Sequence, residues 1–155
     1  SIIAFSLLGF GDKAGEYYRM INPIEHSRTK EAANKYKVEP YVISADVYTQ
    51  KNLAGRGGWT WYTGSSSWMY EAGIKYLLGL HIENGYLSIQ PCIPSDWKEY
   101  SIKYKHGNSV YNIHVSNPNG KNNTVESFKL NGKEIPDKKI ELNPAGEIYD
   151  VEVNI

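Results

Sequence analysis

The residues best suited to chemistry lie in one stretch, residues 55–68, which reads Gly-Arg-Gly-Gly-Trp-Thr-Trp-Tyr-Thr-Gly-Ser-Ser-Ser-Trp. A helical pattern follows this stretch, so we expect Thr63, Gly64 and Ser65 at the start of a helix. The first N–H groups of a helix have no partner within it, and the helix dipole places positive charge there. An accessible helix start therefore binds anions. The alternative is an aromatic motif that only packs a core.

Several side chains around this stretch are candidates for contact with a substrate. The rings of Trp61 and Tyr62 suit the apolar faces of sugars, although they could instead be buried in packing. Arg56 lies between two glycines of the loop, where its charge could reach a substrate. Glu39 could bind sugar hydroxyls or loop backbone, and His26 could contact substrate or pack within its own loop. These residues predict a site that holds an oxyanion beside a carbohydrate.

Composition argues against several classes of partner and site. The 155 residues carry 17 basic and 17 acidic side chains, so there is no electrostatic basis for binding nucleic acid. Cys92 is the only cysteine, which excludes a disulfide within the chain, and the spacings of zinc motifs are absent. We expect no metal. No apolar run is long enough to span a membrane. The chain begins inside an apolar pattern, and we therefore expect it to be cut from a larger protein.

The first part of the chain has helical patterns. Residues 2–8 suit the end of a buried helix, and Asp12 is placed to cap a second helix that ends before Pro23. Thr29 is placed to cap a third, short helix. Residues 42–48 suit either a strand or a buried helix, because periodicity does not separate the two in so short a run.

The segment after the glycine-rich stretch predicts a longer helix. From about residue 65 to residue 80 the sequence is apolar nearly all round, which is typical of a helix buried on most sides. Trp68 and Tyr70 are therefore predicted to be core residues. Gly79 is a plausible C-terminal stop.

After residue 84 the pattern changes to short alternating segments separated by turns. Residues 100–104 and 110–115 alternate, with a hairpin signal at residues 106–109 between them. Asn131-Gly132 is a strong signal for a two-residue hairpin turn. We predict an α+β chain that is helical over residues 1–84 and forms an antiparallel β module over residues 85–155.

Three groups of residues, in this order along the chain, resemble the glycoside hydrolase family 94 phosphorylases. They are residues 38–42 (Val-Glu-Pro-Tyr-Val), residues 55–65 of the glycine-rich stretch, and residues 91–94 (Pro-Cys-Ile-Pro) with Trp97. Residues 22–28, with Asn-Pro-Ile followed by a histidine and an arginine, are similar to the branch that acts on β-1,2-glucans. That branch contains cyclic β-1,2-glucan synthases and 1,2-β-oligoglucan phosphorylases.

The resemblance implies a fold and a reaction. The family has an (α/α)6 catalytic barrel followed by a C-terminal β-sandwich, so residues 1–84 would be the last helices of an incomplete barrel and residues 85–155 the sandwich. Members cleave a β-glucosidic bond with inorganic phosphate as co-substrate, need no cofactor, and release α-glucose 1-phosphate with inversion. The general acid lies upstream of the matching region, so no catalytic residue is expected in this chain. The family's phosphate-binding Thr-Gly pair corresponds to Thr63 and Gly64, with Ser65 beside them.

Two functions follow from these observations. The first is the C-terminal part of an inverting β-glucan phosphorylase module, inactive alone and partnered by phosphate, β-glucan and the rest of the barrel. The alternative is a non-catalytic glycan-binding or structural β-sandwich of a larger cyclic β-1,2-glucan synthase. The resemblance implies a cytoplasmic protein, or a cytoplasmic module of an inner-membrane synthase. A partial barrel leaves apolar helix faces uncovered, so we also expect self-association through residues 1–60.

Overall fold

The computed structural model describes residues 1–61 and 64–155. Over those residues the chain is a small α+β protein with few helices and with antiparallel and mixed sheets. It divides into two compact units, residues 1–15 with 74–155, and residues 16–73. The boundary predicted near residue 84 stays a prediction. Among the described residues, no helix is long and apolar enough to cross a membrane.

The helices in the described part of the chain are short. They are α1 (Ile2–Leu7), α2 (Gly11–Ile21), α3 (Lys30–Tyr36) and α4 (Ser65–Glu71), with a 3-10 turn at Glu25–Ser27 and a π-helical turn at Ala72–Leu77 directly after α4. The cap of α3 is confirmed, because Thr29 Oγ1 accepts a hydrogen bond from the backbone N–H of Ala32 at 3.1 Å. This bond satisfies one of the N–H groups that have no partner at a helix start.

The cap predicted for α2 is wrong. The helix begins at Gly11, and Asp12 lies inside the first turn. Asp12 Oδ1 instead accepts hydrogen bonds from the backbone N–H and the hydroxyl of Ser95, at 2.7 and 2.9 Å. A Cβ on Gly11 would lie 2.1 Å from the carbonyl oxygen of Ile93, so only glycine fits at the start of this helix. The carboxylate therefore ties the helix to a distant loop.

The strands form three sheets in the described residues. They are β1 (Asp46–Val47), β2 (Gly57–Gly58), β3 (Leu80–Glu83), β4 (Tyr86–Ile89), β5 (Glu99–His106), β6 (Ser109–Ser116), β7 (Ser127–Leu130), β8 (Lys133–Glu134), β9 (Lys139–Glu141) and β10 (Ile148–Asn154). The sheet orders are β1-β2, β5-β6-β10-β7-β8 and β3-β4-β9. Residues 42–48, which suited either a strand or a helix, contribute only the two residues of β1.

The predicted antiparallel pairing of the β module is confirmed for every described strand pair of β3 to β10 except one. Strand β10 pairs parallel with β6, with Val151 opposite Ile113, and antiparallel with β7, with Val153 opposite Phe128. The five-stranded sheet is therefore mixed. Local turn signals specify hairpins, but a parallel pair joins strands that are far apart in sequence, and no local signal announces it.

The main core lies between the strands of the unit formed by residues 1–15 and 74–155. Alternate residues of β6 and β10 point into it, as expected for strands with one buried face. Its buried members are Leu87, Ile89, Ile93, Tyr111, Ile113, Val115, Phe128, Ile140, Leu142, Val151, Val153 and Ile155. The other unit has a much smaller buried cluster of Tyr36, Val38 and Val42.

The hairpin turns occur where the sequence predicts them, and one more was missed. Asn131 and Gly132 have φ of 49° and 77° and join β7 to β8. Asn84 and Gly85, with φ of 53° and 79°, join β3 to β4 in the same way. The helix predicted for about residues 65–80 ends at Leu77, and β3 begins at residue 80. Leu80, the first residue of β3, lies three residues after Leu77 and continues the helical spacing. The sequence pattern therefore extended the predicted helix to about residue 80.

Candidate functional site

The glycines of the candidate stretch allow its backbone to pack closely. Gly57 and Gly58 are buried in β2, which pairs with β1. A Cβ on Gly57 would lie 2.3 Å from Val38 Cγ2, and one on Gly58 would lie 2.2 Å from the hydroxyl oxygen of Tyr48. The Val38 side chain is buried, so glycine is required at position 57 to hold the loop against its own unit.

Two tryptophans of the stretch are exposed and have an unusual backbone conformation. Trp59 has φ of 53° and is 69% exposed, and Trp61 has φ of 61° and is 66% exposed. A large residue with positive φ is uncommon and strained, and such strain persists where the surrounding structure imposes it. The structure thus keeps both indoles at the surface.

Trp61 forms a cluster with two residues of the segment 38–42. Its Nε1–H donates to Glu39 Oε1 at 3.2 Å. The Tyr41 ring meets the indole edge to face, with centroids 5.8 Å apart and an interplanar angle of 66°. We call Glu39, Tyr41 and Trp61 the aromatic–carboxylate cluster. The sequence predicted Glu39 and Trp61 separately, and the structure brings them together. Tyr41 was missed as a site residue although its motif was recognised.

This cluster has the groups that a sugar needs. Tyr41 and Trp61 expose aromatic faces, and Glu39 is half-buried at the edge of the indole. An aromatic face packs against the apolar face of a sugar ring, while a carboxylate accepts hydrogen bonds from hydroxyl groups. The hydrogen bond from Trp61 fixes one oxygen of Glu39 and orients the indole.

His26 is occupied by contacts within its own unit. Its Nε2–H donates to the carbonyl oxygen of Met20 at 2.7 Å, and its ring lies over Tyr36 with centroids 4.7 Å apart. Arg28 is paired with Glu25 through two contacts of 2.6 Å, and this pairing lowers the pKa of the Glu25 carboxyl. These are the contacts expected from the packing alternative for the loop.

Arg56 has a fixed backbone and an exposed side chain. Its N–H donates to Leu53 O and its carbonyl oxygen accepts from the N–H of Tyr48, both at 2.9 Å. Lys35 packs against the same loop, since a Cβ on Gly55 would lie 2.4 Å from Lys35 Cε. Two cationic side chains therefore border the glycine-rich loop. The sequence indicated only the arginine.

The start of α4 is open among the described residues. Gly64 has φ of 85° and is exposed, and among the described residues beyond its chain neighbours no heavy atom lies within 4 Å of the place where a Cβ would be. Its carbonyl oxygen accepts from the N–H of Trp68 at 3.0 Å, which closes the first turn. Ser65 is half-exposed at the first helical position. The predictions for Tyr62 and Thr63 lie outside the described residues.

The prediction that Trp68 and Tyr70 belong to the core is wrong. They are exposed, and the buried residues of this region are Met69 and Ala72. The pattern was apolar on nearly every side, so it did not indicate which side of the helix would be covered. Their exposure enlarges the aromatic surface near the candidate stretch.

The arrangement provides groups for binding. An exposed aromatic face beside a carboxylate suits a sugar, and an open helix start suits an anion. Among the residues that the structure describes, no group of three or more His, Cys, Asp or Glu could hold a metal ion.

Comparisons with known proteins found one matching family model and several similar curated proteins. Residues 1–79 match the family model described as the glycosyl hydrolase 94 superfamily, catalytic domain. The chain is 42% identical over 115 residues to the cyclic beta-(1,2)-glucan synthase NdvB of Rhizobium meliloti (strain 1021), covering 74% of this chain and 4% of that protein. It is 31% identical over 153 residues to the N,N'-diacetylchitobiose phosphorylase of Vibrio furnissii, and the match covers 97% of this chain and 18% of that protein.

A third relative is similar over nearly the whole chain. The solabiose phosphorylase of Paenibacillus borealis is 29% identical over 161 residues, covering 99% of this chain and 20% of that protein. The chain therefore spans about a fifth or less of the length of these three curated relatives.

Proposed function

Because the chain belongs to the glycosyl hydrolase 94 superfamily, as its motifs predicted, we propose that it is part of an inverting β-glucan phosphorylase module. The proposed reaction converts β-1,2-glucan and inorganic phosphate to α-glucose 1-phosphate and a glucan one residue shorter, whose leaving oxygen is protonated. Support comes from the family match over residues 1–79, which include the candidate site. The β-1,2 linkage is favoured by the similarity to a protein named as a cyclic beta-(1,2)-glucan synthase.

The observation that carries this proposal is the aromatic–carboxylate cluster. Trp61 is exposed, is oriented by Glu39, and lies three residues before Gly64. We propose that Trp61 stacks on a glucosyl ring and that Glu39 accepts hydrogen bonds from its hydroxyls. Tyr62, adjacent in the chain, is a further candidate for this contact.

We propose that phosphate is held by Thr63, Gly64 and Ser65 at the start of α4. Phosphorolysis needs phosphate on the sugar face opposite the leaving oxygen, with its charge held but not neutralised. Hydroxyl and amide donors do this without a tight ion pair, and the open surroundings of Gly64 leave room for them to act. Arg56 and His26 remain candidates for further contacts. Phosphate is the co-substrate, and no cofactor is invoked.

The finer architecture is also a proposal. We propose that residues 1–84 are the last helices of an (α/α)6 barrel and that residues 85–155 form a β-sandwich. The general acid would then be supplied by another part of the module, and these 155 residues would be inactive alone. The protein would be cytoplasmic, or a cytoplasmic module of an inner-membrane synthase.

Exposed apolar side chains on the helices support the proposal that another part of the protein packs against them. They include Leu8, Phe10, Met20 and Ile21. Apolar surface of this kind favours association. We propose that it packs against the rest of the barrel, or against a second copy when the chain is isolated.

The test is phosphorolysis by the complete catalytic module that contains these residues. Release of glucose 1-phosphate from β-1,2-glucooligosaccharides is measured for the wild type and for Thr63→Val. A hydrogen bond to a charged group contributes about 1.5–3 kcal/mol, so kcat/KM for phosphate should fall about 10- to 150-fold. Thr60→Val makes the same chemical change in the same loop and serves as the matched control. Unchanged activity of Thr63→Val would remove this residue from the phosphate site.

A further inference from the structure

A pocket of about 210 Å³ lies wholly within the unit formed by residues 1–15 and 74–155. It is bordered by α1, the π-helical turn, β3 and the segment that follows β4. Its polar lining consists of Ser6, Lys75, Tyr76, His81, Gln90 and Asn123. We call it the Ser6 pocket. The proposed phosphorylase site uses none of these residues.

Ser6 provides the first sign that this pocket binds a ligand. Its side chain is 9% exposed, and its hydroxyl oxygen is buried without a hydrogen-bond partner among the described residues. Buried hydroxyl groups in proteins are nearly always hydrogen-bonded. A ligand with a hydroxyl group would satisfy the Ser6 oxygen.

The charges around the pocket favour a neutral ligand. Lys75 Nζ lies 3.4 Å from Glu83 Oε1, so a carboxylate already balances its charge. Burial, and then the Lys75 charge, lower the pKa of His81, which keeps the ring neutral near pH 7. Gln90 and Asn123 each offer both a hydrogen-bond donor and an acceptor. This is a lining for a polyhydroxyl compound rather than for an ion.

The small volume of the pocket limits its ligand to about the size of one sugar ring. Its volume of about 210 Å³ is below the roughly 300–1,000 Å³ of pockets that hold drug-sized ligands. The Tyr76 ring offers one apolar surface in the lining.

A groove of about 420 Å³ lies beside the pocket on one face of the β3-β4-β9 sheet. His81 and Gln90 line both. His81 lies opposite Ser88, and Glu83 lies opposite Tyr86, so these side chains share one face of the sheet. Tyr86 is 46% exposed there. The groove is also lined by Asn84, Ser88 and Gln90 and by the charged Glu83 and Lys139. An exposed ring among such hydrogen-bonding groups suits the next sugar of a chain.

We propose that the Ser6 pocket binds one neutral sugar residue and that the groove on β3-β4-β9 receives the adjoining sugar of a glycan. This proposal does not depend on the phosphorylase reaction. It assigns a glycan-binding role to the unit that contains most of the strands.

The test is calorimetric titration of the protein with glucose and with a β-1,2-linked glucose disaccharide. All titrations use the Trp61→Ala background, which removes the proposed stacking ring of the candidate site. We expect saturable binding of glucose and tighter binding of the disaccharide. Ser6→Ala should weaken glucose binding about five- to tenfold, the loss expected for one hydrogen bond. Asn123→Ala changes an exposed residue and should weaken binding without affecting the fold.

A matched control is available in the other unit. Ser27 also has a buried hydroxyl without a partner among the described residues, and it does not line the Ser6 pocket. Ser27→Ala should bind glucose as its parent does. Three results would overturn the proposal: no saturable sugar binding in the Trp61→Ala background, equal affinity in the Asn123→Ala and Ser27→Ala proteins, or displacement of glucose by inorganic phosphate. Failure of phosphorolysis alone would leave these titrations unchanged.

Discussion

The backbone conformation of Trp61 predicts that glycine is more stabilising than alanine at this position, which is the reverse of the usual order. Trp61→Gly and Trp61→Ala both delete the indole and differ only in a Cβ. At most positions alanine is the more stable of the two, by about 0.4–1 kcal/mol, because glycine has more freedom in the unfolded chain. Trp61 has φ of 61°, where a Cβ costs about 1–2 kcal/mol. We therefore expect Trp61→Gly to be more stable than Trp61→Ala by about 1 kcal/mol.

The position of both variants relative to the wild type follows from the burial of the indole. Trp61 is 66% exposed, so about a third of its surface is covered. A fully buried aromatic side chain covers about 150–250 Å², and a third of that at about 25 cal/mol per Å² is about 1–2 kcal/mol. Trp61→Ala should lose about that much stability, and Trp61→Gly should lose about 0–1 kcal/mol because it also relieves the backbone strain.

The assay is urea unfolding of the two variants beside a matched pair at Trp97. Trp97 is 37% exposed and is not among the residues with positive φ, so there Trp97→Ala should be more stable than Trp97→Gly. Both Trp61 variants should lose the proposed contact with a glucosyl ring equally. If alanine were the more stable residue at position 61 as well, strain at this loop would be refuted.

Three further outcomes are expected. Asn117 is fully buried, and its amide bonds Trp97 O, Lys121 O and Lys121 N at 2.9, 2.8 and 2.7 Å. Asn117→Ala should therefore cost about 2–4 kcal/mol in urea unfolding at about 0.5–1.5 kcal/mol per bond, whereas the exposed Asn119→Ala should cost little. Burial and the Lys75 charge lower the pKa of His81 in the folded protein. As pH drops, the unfolded state therefore binds a proton at His81 before the folded state does, and stability should fall below about pH 6.5. His81→Gln should show less of this loss between about pH 7.5 and about pH 5.5, and an unchanged acid dependence would contradict the assignment. Burial raises the pKa of the Cys92 thiol, so a thiol reagent at about pH 8 should modify it much more slowly in the folded protein than in urea; equal rates would count against this.

Local signals predicted the elements that depend on neighbouring residues. The Asn131-Gly132 turn and the Thr29 cap are set by contacts within four residues, and both are confirmed. Predictions of burial were less accurate, because burial depends on which other residues cover a surface. Trp68 and Tyr70 were expected in the core and are exposed, because an apolar pattern indicates preference for burial but supplies no partner.

The candidate site divides in the same way. Its residue types and motif order were sufficient to identify the family, and the family match over residues 1–79 confirms it. The sequence did not indicate that Glu39 and Trp61 form a hydrogen bond, since they are 22 residues apart. It did not indicate the Ser6 pocket, because Ser6 and Asn123 come together only in the folded unit.

By itself, then, the sequence determined the helix-then-strand order, the turns, the family and the identity of the candidate residues. Tertiary structure alone decided the parallel pairing of β10 with β6, the exposure of the tryptophans and the pairing of Glu39 with Trp61. The physical reason is the separation in sequence between the residues that interact. Caps and turns depend on a few adjacent backbone groups, whereas sheet partners, burial and pockets depend on residues that only folding brings into contact.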